Sequence, residues 1–227
     1  MLHKNLFYFD IETVGKYKDL ETLKSNDERG YKLFLKKYNT NSWLQEKGTI
    51  EESYLQSSSI LSAFGKIVCI SFGYYTNKNE IGYTINSLYG NEEKIIVKEF
   101  NNLLKKVGQK HMLLSGWRIL SFDIPWIVHK LNKYEIVPSN LLDIYGVKPW
   151  EIKAFDLADE WKQKFGHYTS FDETTYELGI DSSKDDIDGS KVHQTYWNDQ
   201  DINRIKVYCE KDVLKSMQVS EKMIGHR

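Results

Sequence analysis

Two carboxylates stand in a short apolar segment near the start of the chain. Asp10 and Glu12 belong to FYFDIETVG, residues 7–15, whose aromatic and apolar residues predict a buried strand that stops at Gly15. Side chains two positions apart on a strand point to the same side, so the two carboxylates share one face and repel each other. A divalent cation such as Mg²⁺ or Mn²⁺, which prefers oxygen ligands, would relieve that repulsion. Taken alone, the pair also fits a strand end with two solvated acids.

Two further segments carry acids at positions where helices are predicted. Asp123 precedes Ile124-Pro125 at the start of a helix predicted for FDIPWIVHKLNKY, residues 122–134, where Asp is also a common helix cap. In YCEKD, Tyr208 and Asp212 are four residues apart and share one face of a long final helix. That spacing is equally compatible with half-buried positions of an amphipathic helix. Each segment is therefore weak evidence by itself.

In combination and in this order, the segments resemble the three motifs of the DEDD superfamily of 3′–5′ exonucleases, in its tyrosine subtype. The text between the motifs is similar as well. FGKIVCISFG resembles the second-strand segment of the superfamily, and FDLADEWKQKFGHYTSFDETTYELGIDSSKDDIDGSKV resembles exonucleases related to the proofreading domain of family B DNA polymerases. The resemblance spans about residues 1–15 and 64–220. It implies a ribonuclease H-like fold and exonucleolytic hydrolysis of nucleic acid.

The resemblance also implies roles for the five motif residues. Two divalent ions, Mg²⁺ or Mn²⁺, about 3.5–4 Å apart, would clamp the scissile phosphate. Asp10 would bridge both ions, Glu12 and Asp212 would hold the ion that carries the nucleophilic water, and Asp123 would act mainly on the other ion. Tyr208 would orient the attacking water, since a phenol with an ordinary pKa of about 10 is a poor base near pH 7.

Three other residues are candidates for contact with substrate. Arg118 lies in GWRILSFD, where family members usually carry Asn or a similar small polar group, so it is either a phosphate contact or a surface residue. Phe122 either stacks on a terminal base or packs beside its own helix. Lys191, in the loop GSKVH, either contacts the substrate backbone or belongs to a structural turn.

The remaining pattern predicts the elements that position these residues. Residues 16–62 are polar and predict an insertion after the first strand, with one or two helices and a mobile Ser-rich segment. A β-hairpin is predicted from 66–76 and 80–86, a short buried strand at 112–117, and an ordered loop at 188–197. Amphipathic helices are predicted at 91–108, 170–180 and 199–225. We therefore expect a single α/β domain over 1–227 with a mixed sheet flanked by helices, and the ribonuclease H-like resemblance implies that this sheet has five strands.

Composition excludes some functional classes. The chain has 227 residues with 31 Lys+Arg and 32 Asp+Glu, a net charge of −1, so a strongly basic nucleic-acid-binding chain is excluded, although a local basic patch is not. Cys69 and Cys209 fall in segments predicted as strand and helix, which indicates free core thiols in a reducing compartment. No apolar run approaches the roughly 20 residues of a membrane span, and no signal-peptide pattern opens the sequence. We expect a cytoplasmic protein without membrane contact.

The leading hypothesis is a metal-dependent 3′–5′ exonuclease that acts on single-stranded DNA or frayed 3′ ends and releases nucleoside 5′-monophosphates. An exoribonuclease is the alternative within the same class, because contacts to a 2′-hydroxyl cannot be read from these residues. A nucleic-acid-binding accessory module that has lost turnover is the alternative from another class. No polymerase domain fits within 227 residues, so a polymerase, or another replication or repair partner, would act in trans.

Overall fold

A mixed sheet of five strands forms the centre of the computed structural model, which describes residues 2–77, 82–163, 166–181 and 186–225. The strand order is β3-β2-β1-β4-β5. The strands are β1 (Leu6–Gly15), β2 (Gly65–Tyr75), β3 (Tyr83–Tyr89), β4 (Leu113–Gly116) and β5 (Ala154–Asp156). β1 pairs antiparallel with β2 and parallel with β4, β2 pairs antiparallel with β3, and β4 pairs parallel with β5. The mixed five-stranded sheet expected from the sequence is confirmed.

Helices fill the segments between the strands and pack on both sheet faces. They are α1 (Leu20–Asn26), α2 (Glu28–Thr40), α3 (Ser42–Gln45), α4 (Ile50–Ser57), α5 (Glu93–Gly108), α6 (Asp123–Lys133), α7 (Leu157–Lys162), α8 (Phe171–Glu177), α9 (Val192–Trp197) and α10 (Ile202–Ile224). Single 3₁₀ turns occur at Leu2–Asn5, Ser58–Ile60, Asn140–Leu142 and Pro149–Glu151. Within the described ranges, no helix is both long enough and apolar enough to cross a bilayer.

The central strand β1 divides its side chains between two cores. Phe7 and Phe9 belong to the larger core, which α5 and α6 complete. Tyr8 lies on the opposite face and packs against α10. Because side chains alternate along a strand, Asp10 and Glu12 fall on the α10 face. The antiparallel pairing with β2 shifts by one residue after Glu12, which is a β-bulge next to the second carboxylate.

The insertion after β1 contains more helix than the sequence predicts. One or two helices were expected over residues 16–62, whereas this segment forms α1 to α4. Each of these helices is preceded by a polar N-cap residue whose side-chain oxygen accepts a backbone N–H of the first turn: Asp19, Asp27, Asn41 and Thr49. The prediction did not separate α1, α3 and α4 because apolar periodicity is hard to recognise in helices of one or two turns, unlike the longer α2.

The Ser-rich segment of the insertion is packed, which corrects the prediction that it is mobile. Ser53, Ser57 and Ser58 are buried. Nearby, the Phe34 ring lies edge-on to the Tyr54 ring, with 5.1 Å between centroids. Small hydroxyl side chains allow α4 and the following 3₁₀ turn to approach β1 closely. The serines are therefore packing residues of a small aromatic core.

Two other predicted elements need correction. Residues 188–197 were expected to form a loop, but Val192–Trp197 form α9, whose six residues are too few to show a clear helical period. The β2–β3 hairpin is confirmed, although β3 ends at Tyr89 rather than at residue 86. Residues 78–81, which include most of the predicted turn, lie outside the described ranges. Both cysteines are buried and free, as predicted.

Candidate active site

The central strand and the last helix bring four of the motif side chains together. Asp10 and Glu12 project from β1 toward α10, and a cleft of about 190 Å³ is lined by Asp10, Tyr208 and Asp212. Tyr208 and Asp212 lie one helical turn apart on α10, as their spacing predicts. Glu12 is buried, and its carboxylate interacts electrostatically with those of Asp10 and Asp212. The residues of the first and third motifs therefore form one cluster.

Asp123 reaches the same cluster from the other side of β1. Its Oδ1 accepts the backbone N–H of Ile11 at 3.0 Å. This N–H is available because the pairing of β1 with β4 covers only Leu6–Tyr8, after which β4 diverges and leaves the edge of β1 open. The residue before Asp123, Phe122, caps α6 without a side-chain hydrogen bond. Asp123 is thus directed toward the first motif and does not cap its own helix.

Two aromatic rings form one wall of the cleft. Trp117 follows β4 and Phe171 opens α8, and their ring centroids lie 5.1 Å apart. Thr175 and Ser216 add hydroxyl-bearing side chains to the lining. A cleft with carboxylates on one side and flat rings on the other is suited to a ligand with an anionic, cation-bridged group beside an aromatic base.

The carboxylates of this cluster repel one another because their charges have the same sign. Burial raises the pKa of Asp10 well above its usual range, and the charges of Asp123 and Asp212 raise it further. Burial and the charge of Asp10 raise the pKa of Glu12 in the same way. Burial raises the pKa of Asp123 to about 8, against the effect of the Ile11 N–H. Buried carboxylates at such short distances from one another require protons or cations to be stable.

Tyr208 remains a neutral phenol in this environment. Burial raises its pKa, and the negative charges of Asp212, Glu12 and Asp10 raise it further. The hydroxyl group can therefore donate or accept a hydrogen bond, but it does not act as a base.

A thiol that was expected only in the core also touches the cluster. Cys209 follows Tyr208 on α10, and its Sγ lies 3.4 Å from both the backbone O and Oδ2 of Asp10. The sulfur and carboxylate oxygens of Asp10 and Glu12 lie within 4.8 Å of one another. Burial raises the pKa of Cys209, so the group is an S–H that donates to Asp10. Hard cations prefer the oxygens of this set.

Asp156 organises the loop that leads to Asp123, and the sequence interpretation missed it. Its carboxylate accepts backbone N–H groups from Arg118 at 3.1 Å, Leu120 at 2.9 Å and Ala158 at 3.0 Å. Burial raises the pKa of Asp156, while the N–H groups of Leu120 and Ala158 lower it. Asp is a common N-cap residue and Asp156 caps α7, so the acid in the segment FDLADEW is the signal that could have indicated this role.

The three candidate substrate contacts are not among the residues that line the cleft. Arg118 is exposed, has a left-handed backbone (φ 58°), and places its guanidinium 4.8 Å from the Tyr168 ring centroid. The half-buried Phe122 ring lies 5.8 Å from that of Trp126, which is buried. Lys191 precedes α9, and its ammonium is 3.8 Å from Asp188 Oδ2.

The family of the chain follows from comparison with known proteins. Residues 57–224 match a family described as "Predicted 3'-5' exonuclease related to the exonuclease domain of PolB". The chain belongs to this family. The matched range of this PolB-related exonuclease family includes Asp123, Tyr208 and Asp212, while Asp10 and Glu12 precede it. No match is found among curated proteins.

A solved structure gives the same fold assignment. The chain is similar to the family B DNA polymerase from the hyperthermophilic archaeon Pyrobaculum calidifontis, with a TM-score of 0.56 and 15% sequence identity. The similarity covers 96% of this chain and 24% of the polymerase chain, so the protein spans about a quarter of that enzyme's length. At this identity, the comparison establishes the fold of the PolB-related exonuclease family member and no more.

Proposed function

We propose that this protein is a metal-dependent 3′–5′ exonuclease of the tyrosine DEDD subtype that hydrolyses single-stranded DNA. The observation that carries the proposal is a cluster of four acids at one cleft: Asp10 and Asp212 line the cleft beside Tyr208, and the carboxylates of Glu12 and Asp123 interact electrostatically with that of Asp10. Four mutually repelling carboxylates have no function in a structural core, where apolar residues would pack at a lower cost in free energy. They fit a site that binds divalent cations and phosphate.

The donor set fits two divalent cations, Mg²⁺ or Mn²⁺. Asp10, Glu12, Asp123 and Asp212 would hold them through carboxylate oxygens, the ligands that such hard ions prefer. When bound, the ions supply a water of lowered pKa and positive charge for the developing phosphate oxyanion. Rigid positioning comes from the protein, because β1, α6 and α10 carry the ligands and the Ile11 N–H and Cys209 S–H orient Asp123 and Asp10.

The proposed reaction is hydrolysis of the terminal phosphodiester. The oxygen of water attacks phosphorus, the bond to the 3′ oxygen of the preceding nucleotide breaks, and that oxygen takes a proton. The terminal nucleotide leaves as a nucleoside 5′-monophosphate. Tyr208 would orient the attacking water by hydrogen bond, and the Trp117–Phe171 wall would receive the terminal nucleoside. Phe122, Arg118 and Lys191 are retained as proposed contacts outside the cleft, for a base and for phosphates.

The test is a time course on 5′-labelled single-stranded DNA and on RNA of the same sequence, with Mg²⁺, Mn²⁺ or EDTA. A ladder that shortens from the 3′ end only with metal is the expected result on DNA. Preferential degradation of RNA would identify the enzyme as an exoribonuclease instead. Asp212→Ala should abolish the ladder and leave circular dichroism unchanged, because it removes one ligand at the cleft.

A protein that binds both strands without shortening them would overturn the proposal in favour of a nucleic-acid-binding accessory module. Wild-type activity in Asp212→Ala would also contradict it, since the third motif would then be dispensable. Lys105→Ala, an exposed position on α5 at the other sheet face, is the control and should retain full activity.

A further inference from the structure

A groove larger than the catalytic cleft lies between the insertion and α9. Its volume is about 680 Å³. Lys18, Leu55 and Ile60 line it from the insertion, and His193 and Gln194 line it from α9. This surface, here called the insertion groove, contains none of the five motif residues.

The insertion groove is fixed to the strand that carries Asp10 and Glu12. At the end of β1, Gly15 donates its N–H to His193 Nδ1 at 3.0 Å and accepts the indole N–H of Trp197 at 3.0 Å. Thr13 donates its hydroxyl to the Ser59 carbonyl at 2.5 Å. A strand rises about 3.3 Å per residue, so these contacts lie roughly 10 Å or less along β1 from Glu12. Both walls of the groove are therefore attached to β1 at a fixed distance from the two carboxylates.

His193 is a structural residue of the groove rather than a charged ligand. Because Gly15 donates to Nδ1, the ring proton is on Nε2, which donates to the Lys18 carbonyl at 2.8 Å. Burial lowers the pKa of His193, so the imidazole is neutral near pH 7. The positive charge of the groove consequently comes from its lysines.

The lining combines cations with exposed aliphatic side chains. Lys18 and Lys47 line the groove, and the Lys47 ammonium lies 4.4 Å from the ring centroid of the neighbouring Trp43. Leu55 is 44% exposed and Ile60 is 43% exposed. The acidic side chain of Asp19 also lines the groove, but its Oδ1 accepts the Thr22 N–H within α1. Ammonium groups suit phosphates, and apolar surface suits the faces of bases.

We infer that the insertion groove binds the single-stranded nucleic acid on the 5′ side of the terminal nucleotide, with Lys18 and Lys47 on its phosphates and Leu55 and Ile60 against its bases. The inference rests on the proposed function, because the carboxylate cleft must hold the 3′ terminus for the strand to continue into the groove. The charges favour this occupant over a basic or neutral protein segment. The insertion then strengthens the binding of long strands and does not change the binding of substrates too short to reach the groove.

The test measures binding without catalysis. Lys18→Gln/Lys47→Gln is compared with wild type in EDTA, using a labelled single-stranded oligonucleotide of about 15 nucleotides at several salt concentrations. Neither lysine is buried, so the fold should be retained. We expect binding to weaken about tenfold or more. The slope of log affinity against log salt should become shallower by about 1.4, since each lost single-strand phosphate contact contributes about 0.7.

The matched control is Lys105→Gln/Lys106→Gln, which removes the same charge from exposed positions on α5. It should bind like wild type, and hydrolysis of a dinucleotide should be equal in all three proteins. Equal weakening in the control would overturn the groove in favour of general electrostatics. Unchanged affinity and slope in the groove variant would also overturn it, and would direct attention to a protein partner at this surface.

The two proposals fail in different ways. If wild type binds the oligonucleotide through the groove lysines but never shortens it, the exonuclease proposal fails and the groove remains. If wild type shortens the strand but the groove lysines have no effect on binding, the proposed role of the groove is wrong and the exonuclease proposal stands.

Discussion

Folding makes the ionised forms of the site carboxylates less favourable than they are in the unfolded chain. Asp10, Glu12 and Asp123 each have a raised pKa because burial and like charges disfavour their ionised forms. An ordinary carboxyl in an unfolded chain has a pKa of about 4. The folded protein without metal therefore binds protons that the unfolded chain has already released, and each such group lowers the free energy of unfolding as pH rises.

Asp123→Asn should reveal this effect in the metal-free protein. The amide still accepts the Ile11 N–H but carries no charge, so the variant should be more stable than wild type in EDTA. The margin should grow from pH 5 to pH 8, the window between the unfolded pKa and the folded value of about 8. Each kcal/mol would raise the melting temperature by about 2–4 °C. With Mn²⁺ at pH 8 the order should reverse, because only wild type has its full ligand set.

Thermal unfolding of both proteins across this pH range provides the measurement. Comparing variant with wild type cancels the contribution of other groups, such as buried His193. A margin that is the same at pH 5 and pH 8 would contradict the raised pKa of Asp123.

Tyr208→Phe should separate positioning from metal binding. The substitution removes only the hydroxyl that would orient water, so stabilisation by Mn²⁺ should persist while the single-turnover rate falls by about a hundredfold. The pH profile should keep its shape, because the phenol does not titrate in this range. An unchanged single-turnover rate would remove Tyr208 from the mechanism.

At the scale of elements, the end of β1 is a junction of three segments. A Cβ atom on Gly15 would lie 2.4 Å from Ser58 Oγ and 2.7 Å from His193 Cε1. The absence of a side chain thus permits α9 and the turn after α4 to meet on the strand. Close packing at this point, rather than an unusual backbone angle, accounts for the glycine.

Gly15→Ala should therefore disturb both walls of the insertion groove. Overpacking of this kind costs about 1–3 kcal/mol in the free energy of unfolding, which urea unfolding can measure. Gly189→Ala is the matched control, since a Cβ at that glycine would have no neighbour within 4 Å. It should leave stability within about 0.5 kcal/mol of wild type. Equal stability of the two variants would show that β1 and α9 can separate without cost.

At the scale of the whole molecule, a buried ammonium joins α6 to the start of β2. Lys130 donates to the carbonyl groups of Ser62 at 2.8 Å and Gly65 at 2.5 Å, and lies 3.4 Å from Glu93 Oε1. Its side chain is only 4% exposed. Burial lowers the pKa of Lys130 to about 8, and the charge of Glu93 opposes that shift. This contact connects the insertion, the sheet and the helix that carries Asp123.

Lys130→Met should destabilise the protein by about 3–5 kcal/mol, because it leaves two buried carbonyl groups and part of the Glu93 charge without their partner. Lys133→Met is the control. Lys133 also binds Glu93, at 2.9 Å, but its side chain is 49% exposed and its loss should cost less than about 1 kcal/mol. Chemical unfolding of both variants tests the difference, and equal losses would contradict a special role for the buried amine.

The organisation of the molecule was partly predictable. Strands such as β1 and long helices such as α5 and α10 have apolar patterns that continue for several periods, so their positions were found from the sequence. Helices of one or two turns, such as α9 and the insertion helices α1, α3 and α4, have no such pattern. Their boundaries depend on capping side chains and on close packing with β1.

The residue types of the candidate site are local properties of the chain. The spacing of Asp10 and Glu12 determines that they share a strand face, and the spacing of Tyr208 and Asp212 determines that they share a helix face. Their distance from one another is a property of the fold, because Asp123 meets Ile11 across 112 residues of sequence. Hydrogen bonds and burial of this kind arise only when distant segments pack. For the same reason, the Asp156 loop contacts, the Cys209 thiol beside Asp10 and the insertion groove became visible only in the folded chain.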